Sequence, residues 1–352
     1  MTAPIKVGWD VGEVGRGHVR EYTQCPDAEL VAICDADPTR LSKVVERFQL
    51  TGTKTYTDYQ EMLRHPELQA VSIALPNFLH APVTLAALKA GKHVLCEKPL
   101  ALNAQEAATM VRTARERGLT LMVNFNYRFS EPSWLIHQAV TSGIIGDIYY
   151  ARTGWLRNRG IPGLGGWFTT KRLSGGGALI DLGVHRLDLA LWYMGYPQPI
   201  SVTGATYGQF GKIIAESQEK TFDVDDLAVG FIRFVNGASL IIEASWTGNS
   251  EKREEMFTQV LGTRGGAIQR NTGEGYEFEA RIFQDVAGTL TEVKPLSSIQ
   301  GLEPIRYHFI HCLQKGVDPI APGEHGLILM QILDAIYASA ASGHIEAVKS
   351  LS

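Results

Sequence analysis

The feature of this sequence that most constrains its fold is a regular alternation of short apolar runs with helical patterns over the first 125 residues. Such alternation is typical of a parallel sheet covered by helices. It predicts an α/β domain over residues 1–125. The apolar, β-rich runs lie at 5–9, 28–34, 70–75, 92–97 and 120–125, and the helical patterns lie near 15–22, 38–48, 79–90 and 103–117.

After residue 126 the pattern changes to longer strands with fewer helices between them. The clearest pair of strands is joined at Asn236 and Gly237, a dipeptide favoured in tight hairpin turns. The change predicts a second, α+β domain over 126–352 with a large, mostly antiparallel sheet. Its other elements are predicted as a helix near 130–142, a strand near 147–155, strands between 199 and about 293, and helices near 303–315 and 324–342.

Composition narrows the class of partner. The formal net charge is −4 and the sequence has no long Lys/Arg run, which argues against nucleic acid and membrane surfaces and favours a small molecule. No apolar run approaches the roughly 20 residues of a membrane span, and the start "MTAPIK" lacks the apolar stretch of a signal peptide, so we expect a cytoplasmic protein. The cysteines form no C-x-x-C pair and are expected to be free thiols; they are Cys25, Cys34, Cys96 and Cys312.

The segment "VGWDVGEVGRGH", residues 7–18, lies between the first predicted strand and the first predicted helix. In a G-x-G-x-x-G spacing, Gly12 and Gly15 take the second and third glycine positions and Asp10 takes the first. Gly12 lets the backbone approach a pyrophosphate, and Gly15 lets the helix pack close to the strand. Asp10 is expected to weaken binding of a phosphate through its charge, with Arg16 and His18 offsetting part of the repulsion.

Asp35 follows the second predicted strand, where an acidic residue is expected to accept hydrogen bonds from the adenosine ribose hydroxyls. Its carboxylate would repel a 2′-phosphate, which predicts NAD rather than NADP as the cofactor. The alternative is that Gly12, Gly15 and Asp35 only form turns.

Two further segments carry polar groups at places where an α/β enzyme needs them. Lys98 follows a parallel strand, and ligands bind beyond the carboxyl ends of such strands. It is expected to hold a substrate hydroxyl and to stabilise the oxyanion that grows as hydride leaves the carbon. The helix "ALIDLGVHRLDLALWYM" is apolar on nearly every side, yet it carries Asp181 and His185 at i and i+4. A carboxylate can orient a histidine that takes a proton, whereas the alternative is a purely structural pair. A third metal ligand is lacking, so no metal site is predicted.

Two long segments, "SIALPNFLHAPVTLAALKAGKHVLCEKPLALN" and "GGGALIDLGVHRLDLALWYMG", together with the C-terminal "PIAPGEHGLILMQILDAIYASA", resemble the glucose–fructose oxidoreductase, inositol dehydrogenase and rhizopine-catabolism (Gfo/Idh/MocA) family. The resemblance implies a Rossmann domain followed by a mostly antiparallel sheet. It also implies NAD(P)-dependent hydride transfer between nicotinamide and a secondary ring alcohol or ketone of a sugar, cyclitol or glycoside. The family's C-terminal sheet implies a homo-dimer or homo-tetramer.

The resemblance also implies site residues. Catalysis falls to Lys98, Asp181 and His185. Contacts with the cofactor fall to Gly12, Val14, Gly15, Asp35, Leu75, Pro76, Asn77, His80, Glu97, Lys98 and Asn126. Tyr127 and Arg128 resemble the floor of a substrate cleft. From the irregular stretch 152–177, the flat faces of Trp155 and Trp167 suit the C–H faces of a sugar ring, and Arg157 can donate to hydroxyls.

Two other functions use the same features. One is a glycosidase or lyase that oxidises a sugar carbon transiently through bound NAD and then returns the hydride. The other is a non-catalytic, nucleotide-dependent regulator, for which Asp10 is the supporting feature. The presence of Lys98, Asp181 and His185 together favours a dehydrogenase over the regulator.

Overall fold

The computed structural model describes residues 3–10, 16–293 and 302–351, which form two compact units. The first comprises residues up to Asn124 together with Glu303–Leu327, and the second comprises Phe125–Leu302 and Ile328–Leu351. This division differs from the predicted one, because residues 303–327 group with the first unit. Arg306 explains part of the difference, since its Nη1 donates to Glu21 Oε1 at 2.8 Å within that unit.

The first unit is built on a six-stranded sheet in which every pairing is parallel, in the order β3-β2-β1-β4-β5-β6. This is the Rossmann order, which reverses between β1 and β4 and so opens a crevice beyond the carboxyl ends of the strands. The strands are β1 (Ile5–Asp10), β2 (Ala28–Cys34), β3 (Lys54–Tyr56), β4 (Ala70–Ile73), β5 (His93–Cys96) and β6 (Leu121–Val123).

The helices that follow these strands are α1 (Arg16–Gln24), α2 (Pro38–Phe48), α3 (Tyr59–Leu63), α4 (Asn77–Lys89) and α5 (Ala104–Glu116). Of these, α1, α2, α4 and α5 begin close to the predicted positions. The sequence did not predict β3 or α3. β3 has three residues and is the edge strand, with no buried residue to create an apolar run, and α3 is only five residues long. Such short elements carry too little periodicity to be recognised.

The second unit is built on a nine-stranded sheet in the order β14-β13-β12-β11-β7-β10-β9-β8-β15. All its pairings are antiparallel except that of β10 with β7. The predicted hairpin is present between β9 and β10, and Gly237 in its turn has a φ of 83°. The strands are β7 (Ile148–Arg157), β8 (Pro199–Tyr207), β9 (Leu227–Phe234), β10 (Ser239–Ser245), β11 (Glu254–Gly262), β12 (Gly265–Asn271), β13 (Phe278–Val286), β14 (Thr289–Val293) and β15 (Glu346–Ala347).

The remaining helices are α6 (Glu131–Thr141), α7 (Lys171–Ser174), α8 (Val184–Tyr193), α9 (Gln209–Glu216), α10 (Ile305–Lys315) and α11 (Gly323–Ser342). α8 packs against β7, β10 and β11 and forms the centre of the second unit's core. α9 was not predicted, because it interrupts a series of strands. None of the helices in the described part of the chain has the length and hydrophobicity that a membrane span needs.

Candidate functional site

The residues predicted for the cofactor loop are only partly described. Gly12, Val14 and Gly15 lie outside the described residues, whereas β1 ends at Asp10 and α1 begins at Arg16. Asp10 is paired in register with Cys34, the last residue of β2. Position 10 therefore has the extended backbone of a strand, which any residue can adopt.

Asp35 follows β2 directly and is 7% exposed. Its Oδ1 accepts a hydrogen bond from the backbone N–H of Asp37 at 2.9 Å, and its Oδ2 accepts one from Nη1 of Arg40 at 3.1 Å. Asp37 in turn caps α2, because its Oδ1 accepts from the backbone N–H groups of Thr39 and Arg40. Two hydrogen bonds thus hold the Asp35 carboxylate at the carboxyl end of β2.

The segment after β4 contains the next predicted contacts. Leu75 and Pro76 are half-buried, and Asn77 begins α4 and is 5% exposed. His80, which was predicted to contact the cofactor, is instead buried between two loops. Its ring is 1% exposed. Nδ1 lies 2.6 Å from the carbonyl oxygen of Pro99, and Nε2 lies 2.8 Å from that of Leu75. Burial lowers the pKa of His80. His80 therefore joins two loops rather than lining a cofactor.

Glu97 is buried at the end of β5 in a hydrogen-bonded network. Its Oε1 accepts from Nε2 of His18 at 2.9 Å and from the amide of Asn124, and Nη2 of Arg306 lies 4.0 Å away. Nδ1 of His18 accepts from the Ser72 hydroxyl at 2.9 Å. Burial acts to raise the pKa of Glu97, but the hydrogen bond from His18 and the charges of Arg306 and Lys98 outweigh it and lower that pKa to about 2.

This network changes the expectation for Glu97. Its partners come from three parts of its own unit, which are α1, the residue after β6 and α10, so its first role is to hold the end of β5. His18 has both ring nitrogens hydrogen-bonded and is 1% exposed. Lys98 follows directly, is half-buried, and is joined to Pro99 by a cis peptide bond.

In the second unit, the predicted apolar helix begins with a π-helical turn, Leu179–Gly183, and continues as α8. Between 176 and 193 every residue is buried except Asp181 and His185, which are half-buried. The indole Nε1 of Trp246, itself fully buried, donates to Oδ2 of Asp181 at 2.9 Å. The carboxylate of Asp181 and the imidazole of His185 thus form one open strip on an otherwise buried helix. The π-helical turn that contains Asp181 is a feature frequent at functional sites.

Two glycines before this helix, Gly176 and Gly177, lie too close to neighbouring groups to carry a side chain. The carboxylate of Asp225 accepts from the backbone N–H groups of Gly177 and Leu179 at 2.7 and 2.9 Å, which anchors the start of the helix. A Cβ at Gly177 would lie 1.8 Å from the carbonyl oxygen of Asp225, and one at Gly176 would lie 2.1 Å from the hydroxyl of Tyr337. Only glycine permits this close approach, which fixes where Asp181 and His185 emerge.

Aromatic rings surround His185 within its unit. Tyr127 meets it edge to face, with ring centroids 5.1 Å apart, and the Trp155 centroid lies 5.7 Å away. Tyr127 is half-buried, as the floor of a cleft would be. Trp155 is 4% exposed and its Nε1 donates to Glu254 at 2.7 Å, so it offers no open face to a sugar. The prediction for Trp155 is corrected: it supports the ring of His185 from inside the core.

Arg157 is held by two partners. Its Nε donates to Oε1 of Glu254 at 2.7 Å and its Nη2 donates to the hydroxyl of Tyr276, also at 2.7 Å. Its side chain is 18% exposed. Because Glu254 neutralises it, Arg157 suits hydroxyl groups better than a carboxylate. Trp167 is half-buried and stacks on Phe168 with centroids 3.7 Å apart.

Arg128 is also corrected. It is fully buried, donates from Nε and Nη2 to the carboxylate of Asp188, and lies over the rings of Phe125, Trp192 and Tyr196. The hydroxyl of Tyr196 donates to the same carboxylate at 2.6 Å. Arg128 therefore stabilises the core and forms no cleft floor. Asn126, two residues earlier, is exposed.

Arg186, which the sequence did not single out, is fully buried directly after His185. Its guanidinium lies over the rings of Tyr127, Phe278 and Trp155 at 4.3, 5.0 and 5.5 Å, and its Nη1 donates to Gln269 at 2.9 Å. Burial lowers the pKa of this guanidinium. Within the described ranges, no cluster of three or more His, Cys, Asp or Glu residues is arranged to hold a metal ion.

Comparisons with known proteins match both units. The sequence model described as "Oxidoreductase family, NAD-binding Rossmann fold" matches residues 7–125, and the one described as "GFO/IDH/MocA C-terminal domain" matches residues 134–268. The chain is 34% identical over 355 residues to D-glucoside 3-dehydrogenase of Escherichia coli (strain K12), with 97% of each chain covered. It is 30% identical over 267 residues to myo-inositol 2-dehydrogenase of Thermotoga maritima, covering 75% of this chain and 74% of that one.

Solved structures agree with this match. A levoglucosan dehydrogenase in complex with NADH has a TM-score of 0.85 and 25% sequence identity, and the match covers 99% of this chain and 100% of that chain.

Proposed function

Since this chain belongs to the Gfo/Idh/MocA family of NAD-binding oxidoreductases, we propose that it oxidises a secondary ring alcohol of a sugar, cyclitol or glycoside, or reduces the corresponding ketone. Of these substrate classes, glycosides are favoured, because the likeness to D-glucoside 3-dehydrogenase extends over 97% of both chains. Bound NAD supplies the acceptor for the hydride that leaves the substrate carbon.

The observation that carries the proposal is the open strip formed by Asp181 and His185 on a helix that is otherwise buried. Burying polar groups costs several kcal/mol unless they are paired or used. We assign to His185 the removal of the hydroxyl proton, and to Asp181 the stabilisation of the imidazolium that forms. The alcohol loses a proton to His185 and a hydride to the cofactor, so the carbon is oxidised by two electrons.

Lys98 is assigned the same hydroxyl oxygen, where its ammonium stabilises the negative charge that grows as the proton leaves. The nearest variant exchanges the roles of Lys98 and His185. The buried network of Glu97, His18 and Asn124 supports this assignment, because it fixes the end of β5 from which Lys98 extends.

The remaining predicted contacts are proposed as follows. The adenosine ribose lies at Asp35, where a rigid carboxylate accepts from its hydroxyls. Tyr127, Arg157 and Trp167 contact the sugar. The cofactor is further contacted by Gly12, Val14, Gly15, Leu75, Pro76, Asn77 and Asn126.

We also propose a cytoplasmic homo-oligomer. Four free, buried cysteines suit a reducing compartment. One face of the nine-stranded sheet presents the apolar side chains of Phe231, Ile241 and Phe257, which are exposed or half-buried. Phe231 on β9 lies opposite Ile241 on β10, and Phe257 lies on β11, in the neighbouring row of the same face. A second copy of the chain would cover them, and light scattering during size exclusion measures the assembly.

The function is tested by incubating the protein with NAD and a panel of methyl glucosides, free sugars and inositols while recording the absorbance of NADH. Net NADH formation that depends on one class of polyol is the expected result. Cleavage of a glycoside without net NADH would instead identify a lyase that uses the cofactor transiently. Nucleotide binding without turnover of any polyol or glycoside would favour the regulator.

A further inference from the structure

Arg186 is a fully buried cation held mainly by aromatic rings. Its Nη1 donates to the amide oxygen of Gln269 at 2.9 Å, and no carboxylate among the described residues pairs with it. Arg128, which is equally buried in the same unit, is instead neutralised by Asp188. Burial lowers the pKa of Arg186, but an arginine stays charged over the pH range in which histidine titrates. The positive charge of Arg186 therefore acts on its surroundings.

Arg186 and His185 contact the same two aromatic rings. The centroid of the Tyr127 ring lies 4.3 Å from Cζ of Arg186 and 5.1 Å from the centroid of His185. For the Trp155 ring the corresponding distances are 5.5 and 5.7 Å. A cation over the face of a ring is attracted to it and so restricts where the ring can lie. Arg186 hence fixes the rings against which the imidazole packs, and it is close enough for its charge to reach that imidazole.

Two charged groups act on His185 in opposite directions. The carboxylate of Asp181, four residues earlier, favours the charged imidazolium, whereas the guanidinium of Arg186 favours the neutral imidazole. The neighbouring strands add a neutralised pair, in which Arg157 at the end of β7 donates to Glu254 at the start of β11 at 2.7 Å. The balance between Asp181 and Arg186 therefore has the largest influence on the protonation of His185.

Further titratable groups around this helix are hydrogen-bonded or uncharged near pH 7. Asp225, before β9, accepts from two backbone N–H groups at the start of the helix and from the hydroxyl of Tyr337 at 2.9 Å. Asp226 accepts from a backbone N–H group at 2.6 Å. Burial raises the pKa of Tyr127 to about 12 and lowers that of His137 on α6 to about 4. Three phenols border Arg186 or Trp155, and they are Tyr127, Tyr193 and Tyr276.

We propose that Arg186 is a positioning residue for His185: it holds the Tyr127 ring against the imidazole, and its positive charge keeps that imidazole neutral and able to accept the hydroxyl proton. It thereby offsets Asp181, whose carboxylate alone would favour the charged imidazolium, which cannot act as a base. The inference rests on the proposed function in taking His185 as the group that accepts the proton.

The test measures His185 itself, by nuclear magnetic resonance of protein labelled with ¹³C at histidine Cε1, with His185→Gln to assign its signal. Arg186→Met should raise the pKa of His185 by about one unit, as expected when a unit charge within about 9 Å is lost at an effective dielectric near 20. Arg186→Gln, a second neutral variant, should raise it likewise. Arg186→Lys keeps the charge and should restore most of the wild-type value.

Arg152→Met is the matched control. Arg152 also donates to a glutamine, Gln259, at 2.7 Å and also lies over an aromatic ring, that of Phe257, at 5.4 Å. It is exposed, however, between two buried residues of β7, so it lies on the opposite face of the sheet from the His185 helix. Its removal should leave the pKa of His185 unchanged.

Kinetics connects this shift to the reaction. At saturating NAD, the acid limb of the pH profile of kcat/KM for the polyol should move upward in Arg186→Met by the same amount as the pKa of His185. A purely structural loss would lower the profile equally at every pH. A moved His185 signal with an unmoved kinetic limb would overturn the role of Arg186 in the reaction.

Three other outcomes would overturn the proposal: an unchanged pKa of His185 in both neutral variants, an equal rise in Arg186→Lys, or an equal rise in Arg152→Met. The resonance titration needs no substrate. If the protein turns over no polyol or glycoside, the proposed function fails while the effect of Arg186 on His185 is still measured.

Discussion

Glu97 and Arg186 differ in how the protein compensates a buried charge next to a site residue. Glu97 precedes Lys98 in the first unit, and Arg186 follows His185 in the second. Glu97 is surrounded by hydrogen-bond donors, from His18 and Asn124, with the cation of Arg306 nearby. Arg186 is enclosed by the faces of aromatic rings, and its Nη1 donates to Gln269.

The difference predicts how the protein responds when each of the two charged side chains is removed. A carboxylate whose partners are themselves buried cannot be removed without leaving those partners unsatisfied. When a cation held mainly by ring faces is removed, most of what remains is apolar surface, beside the amide oxygen of Gln269. The first arrangement fixes the backbone from which Lys98 extends, whereas the second fills space beneath Tyr127 and His185.

The largest expected effect is on the free energy of unfolding, when the charge of Glu97 or that of Arg186 is removed. Glu97→Ala should lower the free energy of unfolding by about 3–5 kcal/mol, because it strands buried donors and the charge of Arg306. Arg186→Met should change it by less than about 1.5 kcal/mol, because a hydrophobic residue of similar volume often replaces a buried charge at little cost. Urea denaturation followed by circular dichroism measures both. Equal losses in the two variants would contradict the comparison.

A slightly smaller effect is expected from pH. The pKa of Glu97 is lowered to about 2 in the folded protein from an ordinary value of 4.5. A group whose pKa is depressed by folding stabilises the protein above its unfolded pKa and loses that contribution as the pH falls. The shift corresponds to about 3 kcal/mol in total, none of it lost between pH 8 and 5.5.

Glu97→Gln is the matched control, because glutamine keeps the shape but does not titrate. The difference in unfolding free energy between the wild type and Glu97→Gln should be constant above pH 5.5 and shrink below about pH 4.5. A difference that stays constant down to pH 3.5 would mean that Glu97 is not ionised in the network.

The third effect tests the residues next to these charges. His185→Ala and Lys98→Ala should each lower turnover by on the order of 100-fold, with NAD affinity much less affected in His185→Ala. His137→Ala, in the same unit as His185, and Lys92→Ala, just before β5, are matched controls and should keep most of the turnover. Near-normal turnover in His185→Ala would refute its assignment.

The sequence predicted the parts of the candidate site that follow from local rules. Asp35 is the first residue after β2 and Lys98 the second after β5, and the alternation of strands and helices was enough to predict those positions. Asp181 and His185 were found because polar residues on an apolar helix contradict its pattern. In each case the signal lies within about a dozen neighbouring residues.

The partners of these residues were not predictable, because they come from distant parts of the chain. Trp246 donates to Asp181 across 65 positions, and His18 reaches Glu97 across 79. Arg128 and Trp155 were misassigned for the same reason. Only the fold shows that Arg128 donates to Asp188 and that Trp155 donates to Glu254.

Asp10 gives the smallest expected effect and extends the comparison to a third charged residue. Its backbone ends β1 opposite Cys34, so the residue itself does not strain the strand.

The charge of Asp10 is expected to weaken NAD binding. A carboxylate about 5 Å from a phosphate at an effective dielectric near 20 costs roughly 3 kcal/mol, and water and reorientation of the side chain remove part of this cost. Asp10→Gly should therefore tighten NAD binding about tenfold without changing the sugar preference. Asp10→Asn should do nearly the same if charge is the cause, and calorimetric titration measures both. Unchanged or weaker NAD binding in both variants would mean that the site is adapted to Asp10, in the way that the network around Glu97 is adapted to its carboxylate.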